Sequence, residues 1–210
     1  MDTKHTTPSP GQSRMALARV KDLLARIDAE CEAERSQPVK RLLGPYTAKP
    51  CLTGTDLAAW ETANGVSLPE AYQLFLLEIG NGGRMPGSYC DFEMQHLDPR
   101  KVDARLQKPF PLSQGRFEQR MARLQTEERG KDSLFPELND YWDEGELPPG
   151  CLPLGRYPSY DLVFLIVSGN LHGMVWCAVD NGIPERGRQG KPFDFLGWFE
   201  DTLLELSGPE

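Results

Sequence analysis

Histidine is nearly missing from this sequence, and most enzyme chemistry goes with it. Only His5, His96 and His172 occur in 210 residues. None has a second histidine or a cysteine at metal-ligand spacing, and no HExxH, GxSxG or P-loop pattern appears. Isolated histidines of this kind read as surface or loop residues. Cysteine is also sparse: Cys31, Cys51, Cys90, Cys151 and Cys177 make an odd number with no CxxC pair. That excludes a disulfide framework and a structural zinc site. Cys90, Cys151 and Cys177 stand in apolar, strand-like surroundings and read as small buried hydrophobes. Long apolar runs are absent too. The longest aliphatic and aromatic run, Leu162 to Val167, is far too short to span a bilayer. Met1 to Arg14 is polar and carries Pro8 and Pro10, with no apolar core for a signal peptide, so a cytoplasmic location is expected.

Basic charge is the last shortage. Lys and Arg number 23 against 31 Asp and Glu, a net charge of -8. Phosphate backbones demand clustered cations, so nucleic acid and an anionic membrane surface are disfavoured as partners. A basic protein would be drawn in, with faster encounter at low salt. The same acidity also serves plain solubility.

What is present fits a folded domain: 39% hydrophobic and 26% charged residues, with 20 Gly and 18 Pro to punctuate loops. Residues 1–13 are expected to be a tail, and 14–210 a single domain with an insertion at 97–147. Leu17, Val20, Leu24, Ile27 and Cys31 recur at steps of three and four, which predicts a helix from about Arg14 to Arg35. Residues 36–54 read as a connector. A short helix carrying Leu57 and Trp60 starts at Thr55 or Asp56 and stops at Asn64-Gly65. Trp60 is expected in the core. Ser67 with Glu70 makes a capping box for a third helix, Pro69 suits its first turn, and Tyr72, Phe75, Leu76 and Ile79 form its buried stripe.

Alternation then replaces helical spacing. From Ser88 to Met94, Cys90, Phe92 and Met94 point one way and Tyr89, Asp91 and Glu93 the other: a half-buried strand with an acidic outer face. Residues 97–147 are polar and hold a weakly amphipathic helix near Arg116 to Arg129. They read as an insertion packed on the edge or end of the sheet. Strands are expected at Cys151–Leu154, Asp161–Ser168 and Gly173–Val179, and Asp194 caps a last helix through Leu196, Phe199, Leu203 and Leu206. Helices, grouped strands, then a helix predict an α+β fold with a mostly antiparallel sheet.

Two features attract a functional reading. Asp91 and Glu93 share a strand face, but a hydrolase would need one of them buried with a raised pKa, and the sequence shows burial of neither. A solvated or partner-facing pair is the better reading. The segment Asp140-Tyr141-Trp142-Asp143-Glu144-Gly145-Glu146 combines four acids and two large aromatics with no base. It reads either as a loop tucking Trp142 against the core or as an interface for a basic partner. Gly80-Asn81-Gly82-Gly83 follows a helix rather than preceding one, so it is a helix end and not a phosphate cradle.

A set of motifs resembles the SUKH superfamily of the Smi/Knr type. These are Trp60, Leu68-Pro69-Glu70-Ala71-Tyr72, Phe75-Leu76, Asn81-Gly82-Gly83, Leu152-Pro153-Leu154-Gly155, Gly173-Met174-Val175-Trp176 and the closing Phe195–Leu206 segment. The resemblance implies a bent, mostly antiparallel sheet flanked by helices. It also implies a non-catalytic role without cofactor or metal. In bacteria that role is immunity against polymorphic or contact-dependent toxins, often nucleases; a regulatory scaffold is the alternative. The helix before residue 50 and the 97–147 insertion go beyond the family's usual pattern, and variable loops on a rigid scaffold commonly carry specificity. The residues expected to contact a basic toxin are Asp91, Glu93, Tyr141, Trp142, Asp143, Glu144 and Asp161.

Overall fold

A computed structural model describes residues 9–34, 45–85, 92–124, 135–143, 146–157, 162–178, 183–185 and 192–207. The helices are α1 (Pro10–Glu34), α2 (Gly54–Asn64), α3 (Glu70–Glu78), α4 (Gln114–Leu124), α5 (Asn139–Asp143) and α6 (Phe195–Ser207). The strands are β1 (Thr47–Ala48), β2 (Gly83–Met85), β3 (Phe92–Met94), β4 (Cys151–Arg156), β5 (Leu162–Ile166), β6 (Val175–Cys177) and β7 (Ile183–Pro184). They form one open sheet in sequential order, with every neighbouring pair antiparallel. The α+β expectation, with an N-terminal helix and a central insertion, holds.

Local chemistry explains where elements begin. α1 starts at Pro10, inside the segment expected to be a tail. Ser9-Pro10-Gly11-Gln12 is a capping sequence with proline in the first turn, and Gln12 Oε1 accepts the Ser9 N–H at 2.8 Å. The expected stripe holds at Leu17, Val20, Ile27 and Cys31, whereas Leu23 is buried and Leu24 only half-buried. α2 is capped by Thr53, whose Oγ1 accepts the Asp56 N–H at 3.1 Å, rather than by Thr55 or Asp56. Gly65 ends it at φ 62°, as expected for a left-handed cap.

The capping box expected at Ser67 and Glu70 does not form. Pro69 occupies the cap position of α3 without a side-chain bond. Glu61 instead ties the approach to the helix, accepting the Leu68 N–H at 2.6 Å and a Gln73 side-chain N–H at 2.8 Å. Asp194 does cap α6, its Oδ1 accepting the Gly197 N–H at 2.8 Å.

Alternation along the central strands divides the hydrophobic residues between two cores. Leu154, Val163, Leu165, Val175 and Cys177 face a helical layer built from α1, α2, α3 and α6, where Trp60, Phe75, Phe195 and Trp198 are buried. Cys151, Phe164, Ile166 and Trp176 point the other way. They are met by Phe110, Leu112, Phe117, Phe135 and Leu138 from the insertion. The insertion therefore does not sit on the edge or end of the sheet: most of it covers the second face of β4 to β6. The driving force is plain, since a strand apolar on both sides must be covered on both sides. α1 packs against α3 and α6 and adds a further layer over the first face.

Candidate functional site

The second face is covered only in part. Over β2, β3 and the end of β4 it stays open, and there Glu93 is exposed while its neighbours Phe92 and Met94 are buried. Strand register places Arg84 of β2 directly across from Glu93 on one side and Arg156 of β4 on the other. Both arginines are exposed. The outer face expected to be acidic is therefore a cross-strand row of alternating sign. Opposite charges directly opposed on one face favour each other by about 0.2–1 kcal/mol per pair. A register bulge between Pro153 and Gly155 brings Arg156 to this face.

Tyr141 lies in α5, half-buried, just after the Phe135 and Leu138 contacts that seat the insertion on the second face. Glu93 and Tyr141 thus lie on the same side of the sheet. The backbone of Trp142 and Asp143 belongs to α5, and their side chains lie outside the described residues. Asp91, Glu144 and Asp161 also lie outside them. The strand ends joined by 86–91 and by 158–161 are at the same end of the sheet, because β2–β3 and β4–β5 are antiparallel hairpin pairs.

Past Glu93, the strand leads to Gln95 and then to a cleft of about 90 Å³. Trp60 of α2, Tyr72 of α3 and Leu152 and Pro153 of β4 line it, with Leu106. Its outer rim is His96, Asp98, Lys101, Asp103 and Arg105. Two buried asparagines hold this rim in place. Asn64 donates from Nδ2 to the carbonyls of Trp60 and Lys101, at 3.0 and 3.1 Å, and accepts the Asp103 N–H at 2.8 Å. Asn81 binds both backbone groups of Leu97. On the rim, Arg105 grips Asp103 through two bonds of 3.1 and 2.9 Å, and this contact, more than any other, holds the Asp103 carboxyl below its usual range. Lys49 Nζ and His96 Nδ1 are 3.3 Å apart.

Local patterns do not reveal this cleft, because its walls come from positions between 60 and 153 that share no common period. His172, read as a loop residue, donates from Nε2 to the Ser67 carbonyl at 2.9 Å. Among the described residues no group of three or more His, Cys, Asp or Glu is placed to hold a metal ion, and no helix is long and apolar enough to cross a membrane.

The sequence pattern of the SMI1 / KNR4 family (SUKH-1) matches residues 51–195, well over half of the chain. The match includes α2, α3, all strands from β2 to β7 and the insertion, and it leaves α1 and nearly all of α6 outside. No curated protein and no solved structure matches the chain.

Proposed function

The chain belongs to the SMI1 / KNR4 family (SUKH-1), and on that premise we propose that it is an immunity protein, which binds a cognate bacterial toxin and neutralises it by covering the active site or substrate cleft. The family match is the observation that carries this reading, because domains of this family are generally non-catalytic immunity or regulatory modules. A toxin that cleaves nucleic acid exposes a basic cleft, and an excess of acids, 31 against 23 bases, suits a decoy for phosphate charge.

The contacts we assign are Asp91, Glu93, Asp161, Tyr141, Trp142, Asp143 and Glu144, of which Glu93 is on the open sheet face and Tyr141 in α5. Glu93 alone does not make that surface acidic, since Arg84 and Arg156 flank it in register. The further negative charge this reading requires is assigned to Asp91, Asp143, Glu144 and Asp161, whose side chains lie outside the described residues. Aromatic anchors at Tyr141 and Trp142 slow dissociation, while the acids speed encounter.

Co-expression with the product of the adjacent gene tests the proposal. Rescue of growth, with a complex on size exclusion whose association rate falls with salt, is the expected result. A harmless neighbour that forms no complex overturns it. A growth or envelope defect on deletion, without a toxic neighbour, favours a regulatory module of the Smi1/Knr4 kind.

A further inference from the structure

Two of the most deeply buried polar side chains in the helical layer keep their polar tips unpaired. Trp60 is 3% exposed and Tyr72 is 2% exposed. Among the described residues neither the Trp60 Nε1–H nor the Tyr72 hydroxyl makes a hydrogen bond. The indole N–H of Trp176 is also without a partner among the described residues, but it is sealed inside the second core. Trp60 and Tyr72, by contrast, both line the cleft of about 90 Å³. Burial pushes the Tyr72 phenol well above its usual range, so it stays protonated and able to donate. Stability alone does not account for leaving two donors unpaired in a packed layer, and sites that break such local rules are commonly functional.

A third donor stands at the mouth. Lys101 lines the cleft, is exposed, and its ammonium makes no ion pair or hydrogen bond among the described residues. The neighbouring acids are otherwise engaged. Asp103 is taken by Arg105, and Asp98 Oδ1 accepts the Arg100 N–H at 3.0 Å. Lys101 also acts on the Asp103 carboxyl through its charge, without a hydrogen bond to it. An indole N–H, a phenol O–H and an ammonium that hydrogen-bond no acceptor among the described residues call for an occupant that accepts. A cleft of this size admits a group of a few heavy atoms.

We propose that this cleft is a carboxylate-binding site, with Trp60 Nε1, Tyr72 Oη and Lys101 Nζ as its donors. The carboxylate comes either from a free small acid or from an Asp or Glu side chain of a protein partner. Hydrogen bonds from neutral donors fix its orientation, and the lysine supplies the charge assistance. The site is independent of whether the protein neutralises a toxin.

The test is a titration of the full-length, 15N-labelled protein, reading the Trp60 indole resonance, which a Trp60→Phe variant identifies. Sodium acetate and N-acetylglutamate amide are compared with sodium chloride at matched ionic strength and with acetamide, the neutral isostere. Saturable shifts with the two carboxylates at up to about 100 mM, and none with chloride or acetamide, are expected. Tighter binding of acetate assigns the site to free small acids; equal or tighter binding of the blocked glutamate assigns it to a partner's side chain. Lys101→Gln weakens acetate about tenfold, and Tyr72→Phe weakens it severalfold while leaving the thermal midpoint unchanged or raised, because the hydroxyl has no partner to lose. No saturable shift, an equal response to acetamide, or binding unaffected by both substitutions overturns the proposal.

Discussion

Asn81 and Leu97 form a closed ring of two hydrogen bonds: Asn81 Nδ2 donates to the Leu97 carbonyl at 2.9 Å, and Asn81 Oδ1 accepts the Leu97 N–H at 2.8 Å. The side chain imitates a β-ladder step and fixes where the insertion leaves the sheet. Both partners are buried. Asn81→Ala strands a donor and an acceptor of Leu97 and costs about 2–4 kcal/mol. Urea titration of the variant measures this; a loss under about 0.5 kcal/mol would show that water replaces the amide. Gly82 beside it adopts φ 80°, and a Cβ there would lie 2.7 Å from the Gln95 carbonyl oxygen. The same turn therefore admits no ordinary side chain at Gly82.

α1 lies outside the matched family segment, yet its stability contribution is expected to resemble that of a core helix. Leu17 is 4% exposed, and Leu17→Ala costs about 2–4 kcal/mol. Arg19 reaches Glu200 of α6 through bonds of 2.7 and 2.8 Å, but it is largely exposed. Arg19→Ala costs at most about 1 kcal/mol. Equilibrium unfolding of the two variants separates apolar docking from ion pairing. Equal losses would mean that the salt bridge, not the stripe, holds α1.

Glu185 makes stability depend on pH with an unusual sign. Burial, then the charge of Glu205, and further Asp201, raise its carboxyl above the ordinary value, while Cys177 opposes the shift. A raised folded-state value means the native state holds the proton more tightly than the unfolded chain does. This contribution is fully favourable below the unfolded-state value and is lost as pH rises through the folded one. Glu185→Gln removes the charge, so the denaturation midpoint rises at pH 7 and shows no gain at pH 3.5. A variant less stable than wild type at pH 7 would contradict this reading.

Binding is tested at α5. Tyr141→Ala and Trp142→Ala each weaken the complex with the cognate toxin by about 2 kcal/mol or more if they anchor the interface, with the fold intact. Circular dichroism checks the fold and calorimetry the affinity. Unfolding of Trp142→Ala would assign that residue to the second core instead.

Elements long enough to show a period were legible in the sequence. α3 carries its stripe at Tyr72, Phe75 and Leu76, β5 is one apolar run, and Asp194 announces α6. β1, β2 and β7 are two or three residues each, too short for alternation to register, and they exist because a neighbouring strand offers them partners. The Ser67–Glu70 capping signature failed because the cap position of α3 falls at Pro69, two residues later, while Glu61 holds the preceding Leu68 N–H. The second core was hidden because Phe110, Leu112 and Phe135 come from irregular chain and Leu138 from a single 3₁₀ turn, too short for any period to show. Of the expected contact residues, Glu93 stood where alternation put it, but its pairing with Arg84 and Arg156 depends on register, which local sequence does not encode.

Phe164 and Leu165 are adjacent in the chain and belong to different cores. Such alternation decouples the two faces: a substitution among Phe110, Phe117 or Leu138 is felt by Trp176 but not by the helices beyond the sheet. That arrangement leaves one flank free to be rewritten by mutation while the opposite flank continues to specify the same backbone.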